Sequence, residues 1–135
     1  TYRIYDYGRV GADGKPRQLH IDKALEVTDL KRPAREPKPQ GSTIQKNGYN
    51  QTLLASCEYF TVTALEIKKS VQLEADETSF HSLLVLDGEA EIVWQNKKVS
   101  GEMSLTVTKG ESIFIPAGMG DYTINGKTNL LFTKI

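Results

Sequence analysis

Short runs of strand-forming residues, separated by turn residues, recur through the chain beyond residue 58. These runs span residues 59–67, 82–86, 90–94, 104–108, 112–115, 122–124 and 130–133. Runs of this length and spacing are typical of all-β domains, because each short strand must add its apolar side chains to a core shared with the others. The pattern therefore predicts a β-sandwich or a β-barrel.

The alternation of apolar and polar residues indicates which side chains form the core. Ala90, Ile92 and Trp94 occupy every second position of one run, so they share one face of a strand. The residues predicted to be mainly buried are Leu84, Leu86, Ile92, Trp94, Phe114, Ile115, Leu130 and Phe132. At 135 residues the chain is long enough to bury a core of this kind.

Two dipeptides inside the strand-rich region carry the residues that tight hairpins prefer. They are Asp87-Gly88 and Asn125-Gly126, and both types of pair readily supply positive φ angles. The sequence therefore predicts that a strand ends before each pair and that a new one begins after it.

The first 41 residues have a different character. Residues 1–10 favour an extended arm, and Ile21, Ala24 and Leu25 take the spacing of one helical face, which predicts a short helix over 22–27. Prolines interrupt residues 31–41, so that segment is predicted to be an irregular loop. We expect an arm, helix and loop over 1–41 and a β-sandwich over 42–135, together forming one compact domain.

The charge balance and the cysteine content restrict the partners and the location of the protein. Lys plus Arg and Asp plus Glu both number 17, so no net field attracts nucleic acid or an anionic membrane. No hydrophobic run is long enough for a membrane span or a signal peptide, and we expect a cytoplasmic protein. The single cysteine, Cys57, lies in a strand-like run and is predicted to be a small buried side chain.

Residues 110–118, GESIFIPAG, resemble the second conserved motif of the cupin family, in which a glycine turn enters a strand and a Pro-x-Gly turn leaves it. In metal-binding cupins a histidine follows this turn by three residues and an asparagine by seven. Those places hold Asp121 and Asn125 here. The resemblance implies a cupin-type jelly roll that has lost one metal ligand.

The first cupin motif matches residues 85–89, VLDGE, and implies three further positions that bind metal in other cupins. The His-x-His pair falls on Glu74 and Asp76, and the glutamate position falls on His81. With Asp121 these residues could form an oxygen-rich site with one imidazole. The three imidazoles of a strong site are missing, so we favour solvated acidic residues and a partly buried His81 with a backbone or water partner.

Residues 1–9, TYRIYDYGR, and 17–27, RQLHIDKALEV, are similar to the junction between the two cupins of bacterial (Firmicutes-like) type I mannose-6-phosphate isomerases, also called phosphomannose isomerases. Residues 59–62 and 114–124 fit the C-terminal cupin of the same family. The resemblance implies an enzyme that interconverts mannose 6-phosphate and fructose 6-phosphate with a zinc ion in its N-terminal cupin. It also implies an N-terminal catalytic domain and a sugar phosphate as partners.

The zinc ligands of that family are a glutamine, a glutamate and two histidines, and this chain has no Gln-x-His pair. The chain is therefore expected to bind no cofactor and to be inactive alone. The family's catalytic arginine matches Arg3, which could hold phosphate or stabilise an enediolate in the full-length enzyme. In the isolated chain Arg3 could instead be a solvated residue of the arm.

Other readings remain open. Further cations in the junction segment suit a sugar phosphate but are equally explained as structural or surface residues: Arg9, Arg17, His20 and Lys23. The main alternative to an isomerase domain is a non-catalytic cupin module that binds a sugar or a protein partner. The least favoured is a metal-dependent cupin enzyme using Glu74, Asp76, His81 and Asp121.

Overall fold

The computed structural model describes residues 1–31, 37–95 and 101–135, so residues 32–36 of the predicted loop lie outside the described part. The chain divides into two units, Thr1–Glu36 and Pro37–Ile135. The predicted division into 1–41 and 42–135 remains a prediction.

In the first unit, the predicted helix is confirmed as α1, Ile21–Val27. Ala24 lies on its buried side, and the Thr28 hydroxyl donates a 2.6 Å hydrogen bond to the Ala24 carbonyl at the end of the helix. A bridge between Val10 and Pro16 closes the loop before it. Within the described residues, no helix combines the length and the apolar character needed to cross a membrane.

The described residues of the second unit form eight strands. They are β1 Ile44–Lys46, β2 Tyr49–Ser56, β3 Thr61–Ile67, β4 Ser70–Ala75, β5 His81–Gln95, β6 Glu102–Thr108, β7 Ser112–Ile115 and β8 Gly120–Lys134. All of their pairings are antiparallel.

Two long strands, β5 and β8, belong to both layers of a sandwich. The first half of β8 pairs with β4 and its second half with β3, while β5 pairs first with β7 and then with β6. The two strands also pair with each other over almost their whole length. The result is a six-stranded layer, β1-β2-β3-β8-β5-β7, and a four-stranded layer, β4-β8-β5-β6. This arrangement confirms the predicted mainly β sandwich with one short helix.

The predicted hairpins at the two glycine pairs are wrong, because both glycines lie inside the long strands. Gly88 and Gly126 have φ angles of 82° and 139°. A Cβ atom on Gly88 would lie 2.3 Å from the Lys127 carbonyl oxygen, and one on Gly126 would lie 2.7 Å from that of Glu89. The glycines therefore permit close approach of β5 and β8 where these strands change layers.

The core lies between the two layers. Its buried residues are Leu65, Ile67, Val71, Ala75, Leu83, Val85, Ala90, Ile92, Val107, Ile115, Tyr122, Ile124 and Leu130. The predictions for Ile92, Ile115 and Leu130 are confirmed, and Trp94 and Phe132 are partly buried against the core.

Three predicted core residues, Leu84, Leu86 and Phe114, are exposed. In β5 the inward positions belong to Leu83 and Val85, so the leucines between and after them point outward. The error arose because the first half of β5 is apolar on both faces. The sequence pattern therefore does not show which alternate positions face the core.

Cys57 is exposed, so its predicted burial is wrong. It lies between β2 and β3, where its backbone N–H donates a 3.0 Å hydrogen bond to the Phe60 carbonyl. The strand-like run was predicted to start at residue 59, whereas strand β3 starts at Thr61.

Candidate functional site

Arg3 is held in the first unit by backbone and side-chain contacts. The His20 N–H donates a 2.7 Å hydrogen bond to the Arg3 carbonyl, and the Arg3 N–H donates one of 3.4 Å to His20 Nδ1. Arg3 Nη1 donates a 2.9 Å hydrogen bond to the Gln18 carbonyl, and its Nε lies 3.5 Å from Asp6 Oδ1. The guanidinium therefore has a defined position, although its side chain is partly exposed.

Asp6 links Arg3 to a second arginine. Arg17 donates to both oxygens of the Asp6 carboxylate, from Nε at 2.6 Å and from Nη2 in a shorter contact. These paired hydrogen bonds hold the pKa of Asp6 below its usual range. Because the carboxylate stays ionised, it anchors both guanidinium groups.

A loop brings a third cation near the same carboxylate. The Arg9 N–H donates a 2.9 Å hydrogen bond to the Asp6 carbonyl, after a turn in which Tyr7 and Gly8 have positive φ angles. The charge of Arg9 also favours the ionised form of Asp6. We call Arg3, Asp6, Arg9 and Arg17 the arginine cluster. Three guanidinium groups around one carboxylate leave an excess of positive charge, which suits a phosphate or an enediolate oxygen.

The sequence indicated the arginines of this cluster but not the residue that organises them. Asp6 is separated from Arg17 by a loop, and no spacing rule predicts their contact. His20 contributes backbone and ring contacts to Arg3, while Lys23 lies exposed on α1.

In the second unit, the degenerate cupin positions point in different directions. Glu74 and Asp121 face each other across β4 and β8, and both are exposed. Asp76 Oδ1 accepts hydrogen bonds from the Thr78 N–H at 2.8 Å and the Thr78 hydroxyl at 2.6 Å. These bonds hold the pKa of Asp76 below its ordinary value. The carboxylate therefore organises a local turn.

His81 points into the core instead. Its Nδ1 shares a 2.8 Å hydrogen bond with the Tyr122 hydroxyl, and its ring packs edge-on against Phe132, with ring centroids 4.6 Å apart. Burial lowers the pKa of His81 and raises that of Tyr122. The partner of His81 Nδ1 is thus the tyrosine hydroxyl, and the backbone or water partner expected from the sequence stays a prediction for the other ring nitrogen.

The predicted Pro-x-Gly turn is present. The Met119 N–H donates a 3.3 Å hydrogen bond to the Pro116 carbonyl, and Gly118 has a φ of 76°. The Gly118 N–H also donates to the Asp76 carbonyl at 2.7 Å, which ties the turn to the loop after β4.

These positions do not converge on one point. Across residues 1–31, 37–95 and 101–135, no group of three or more His, Cys, Asp or Glu side chains is arranged to hold a metal ion. Two of the four proposed ligands lie on an outer face and one lies inside the core. The four residues therefore do not assemble the oxygen-rich site considered from the sequence.

The turn borders an apolar cavity of about 240 Å³. Its lining consists of Ile92, Trp94, Leu105, Ile113, Phe114, Ile115, Pro116 and Met119. A sugar needs several hydrogen-bonding groups, and this lining offers almost none. Sequence reasoning missed the cavity because its residues come from three strands and a turn.

Comparison with known proteins identifies relatives of both units. The family model described as "Mannose-6-phosphate isomerase, cupin domain" matches residues 49–135. Mannose-6-phosphate isomerase ManA of Bacillus subtilis is 31% identical over 138 aligned residues, which include the whole of this chain and 40% of the relative. The putative mannose-6-phosphate isomerase YvyI of the same organism is 30% identical and also matches the whole chain.

Solved structures agree with these matches. The crystal structure of mannose 6-phosphate isomerase from Bacillus subtilis superposes on 99% of this chain with a TM-score of 0.74 and 29% identity. Pac13, a nucleoside dehydratase, shares the fold at 12% identity, with a TM-score of 0.59 over 70% of this chain. The chain spans about 40% of the length of the isomerases that it matches.

Proposed function

The chain belongs to the mannose-6-phosphate isomerase cupin-domain family, and we propose that it is the C-terminal domain of an isomerase that interconverts mannose 6-phosphate and fructose 6-phosphate. The support is the family match together with relatives that are much longer than this chain. In this proposal the rest of the enzyme supplies the N-terminal catalytic domain, and a sugar phosphate is the substrate.

The observation that carries the catalytic part of the proposal is the arginine cluster. The contacts of Arg3 with Asp6 and the Gln18 carbonyl occupy Nε and Nη1. Its Nη2 makes no hydrogen bond to the residues that the structure describes, so the N–H donors of Nη2 are available to an anion.

This geometry suits aldose-ketose isomerisation. Moving a proton between C1 and C2 of the sugar passes through an enediolate, whose oxygen carries negative charge. A fixed, permanently charged guanidinium stabilises that charge without having to reorganise, or it holds the phosphate while the reaction proceeds. We propose that Arg3 either stabilises the enediolate or holds the phosphate.

We propose that this chain does not hold the zinc ion of the family. A catalytic zinc site needs three protein ligands that converge, and the described residues contain no such group. We therefore assign the zinc of the family to the remainder of the enzyme, and no chemical step of this chain depends on it.

The alternative is a non-catalytic cupin module. The cavity beside Pro116 favours apolar contacts over a sugar, so this alternative applies best to a protein partner.

Turnover measurements test the main proposal. The purified 135-residue chain, supplied with zinc and mannose 6-phosphate, should form no fructose 6-phosphate above the uncatalysed rate. The longer polypeptide that contains this chain should form it readily. Turnover by the short chain would place the active site inside it, and an inactive longer polypeptide would favour the non-catalytic module.

A further inference from the structure

The two layers of the sandwich differ in the chemistry of their outer faces. On the six-stranded layer, the strand register aligns two outward rows: Ala55, Val62, Thr133, Ser82 and Phe114, and next to it Thr52, Ala64, Leu131, Leu84 and Ser112. We call these rows the apolar face. They contain only apolar and hydroxyl side chains, so neither row carries a charge.

The outer face of the four-stranded layer is polar and acidic. Its rows are Ser70, Asn125, Glu91 and Thr106; Gln72, Thr123, Val93 and Ser104; and the pair Glu74 and Asp121. Val93 is the one apolar residue in these rows. This composition is that of an antiparallel sheet with one face in water.

The apolar face departs from that rule within the same sandwich. Leu84 is 37% exposed and Phe114 65% exposed, and the Phe114 ring stacks on Phe80 with centroids 5.1 Å apart. Leu131 and Ala64 lie beside Leu84 in the same row. Contiguous apolar surface without charge is typical of the centre of a protein interface, where charged residues are depleted.

We propose that the apolar face is the surface on which the remainder of the isomerase packs. This inference rests on the proposed function, because it requires the longer polypeptide. About 60% of the length of the relatives lies outside the matched region. A segment of that length is sufficient to cover one face of a sheet. A covalently linked partner also has a high effective concentration, which favours it over a second copy of the chain.

The chemistry of the face restricts the partner surface. A charge buried against Leu84, Leu131 and Phe114 would lose its water and gain no partner. The partner surface should therefore be apolar and uncharged at its centre, with polar groups at the margin where Glu66 and Asn129 flank the rows.

Hydroxyl-radical footprinting read by mass spectrometry tests the proposal without a substitution. The rate of Phe114 oxidation is compared between the 135-residue chain and the longer polypeptide, and we expect it to fall at least about tenfold in the longer one. Tyr122, which lies in the core of this chain, serves as the unreactive reference. Equal oxidation of Phe114 in the two proteins would overturn the proposal. Protection in the short chain that grows with concentration would also overturn it, in favour of a second copy.

A matched pair of variants gives a second test. Leu84→Glu places a charge in the apolar face, and Val93→Glu places the same charge at an outward position of the other layer. In the longer polypeptide, Leu84→Glu should restore Phe114 oxidation and Val93→Glu should leave it protected. Circular dichroism of both variants in the short chain confirms that each still folds. Protection that survives Leu84→Glu in a folded protein would contradict the proposal.

The footprint contains no activity measurement, so the two proposals can fail separately. An active isomerase with an unprotected Phe114 would refute only the interface. A protected Phe114 in a polypeptide without isomerase activity would refute only the proposed function.

Discussion

Each of the two units is stabilised internally by a different kind of contact. In the first unit Ala24 is the one buried residue among those described, and the geometry depends on polar contacts such as the Asp6–Arg17 pair. In the second unit a continuous apolar core fills the space between two layers. Single substitutions in the first unit should therefore change the position of a functional group such as the Arg3 guanidinium. Substitutions in the core of the second unit should change the free energy of unfolding.

The largest effect should come from the core. Leu83 is fully buried, so Leu83→Ala should lower the free energy of unfolding of the isolated chain by about 3 kcal/mol, through lost burial and a residual cavity. Its outward neighbour supplies the control, because Leu84→Ala should cost less than about 1 kcal/mol there. Urea unfolding measures both values. Equal losses would mean that the two faces of β5 are not distinct.

Arg3→Ala should affect chemistry instead. In the proposed longer enzyme we expect turnover to fall by about a hundredfold, because the charge that we propose to stabilise the enediolate is removed. Arg3→Lys should recover only part of the loss, since an ammonium cannot reproduce the paired donors of a guanidinium. Steady-state kinetics and thermal unfolding are measured together. Unchanged kinetics would make Arg3 a bystander.

Asp6→Asn should have a smaller effect of the same kind. The neutral amide releases the paired contact with Arg17 and weakens the contact with Arg3 Nε, so Arg3 loses one of the contacts that fix its position. We expect about a tenfold fall in turnover. The exposed carboxylate Asp22 provides a control, and Asp22→Asn should leave turnover unchanged. If Asp6→Asn also leaves turnover unchanged, the position of Arg3 does not depend on the carboxylate.

The smallest effect concerns pH and the core. Burial lowers the pKa of His81 in the folded chain below its value of about 6.5 in the unfolded chain. The unfolded chain therefore takes up the proton first as pH falls, and stability should decrease below about pH 6.5. Thermal unfolding between pH 7.5 and 5 measures this slope. His81→Gln should flatten it, whereas His20→Gln, in the first unit, should not; a slope unaffected by His81→Gln would assign it to other groups.

The sequence was sufficient to predict most of the β-structure. A short run of strand-forming residues located the strand at residues 112–115, and the Pro116 turn followed from the cupin motif. Glycine pairs were misread because Asp-Gly and Asn-Gly favour positive φ angles, which serve a hairpin and a layer crossing equally well. Only the register of β5 and β8 distinguishes the two.

The candidate site was harder to predict. The family resemblance indicated Arg3, but the contact of Asp6 with Arg17 joins residues across a loop and leaves no periodic signal. The outward direction of Leu84 was also hidden, because a strand that is apolar on both faces gives no sign of which face is inside. Local patterns report periodicity, whereas these features depend on which distant residues pair.

The sharing of β5 and β8 between the two layers also affects how the chain folds. Strand β8 follows the other seven strands in the sequence, and each layer has it as an interior member. Neither layer can be completed before β8 is synthesised, so the edges of β3, β4 and β5 stay unpaired until then. Closure between segments so far apart in sequence is slow, and open edges invite association with other chains. We expect refolding to be slow for a domain of this size and aggregation to compete with it most strongly before β8 is in place.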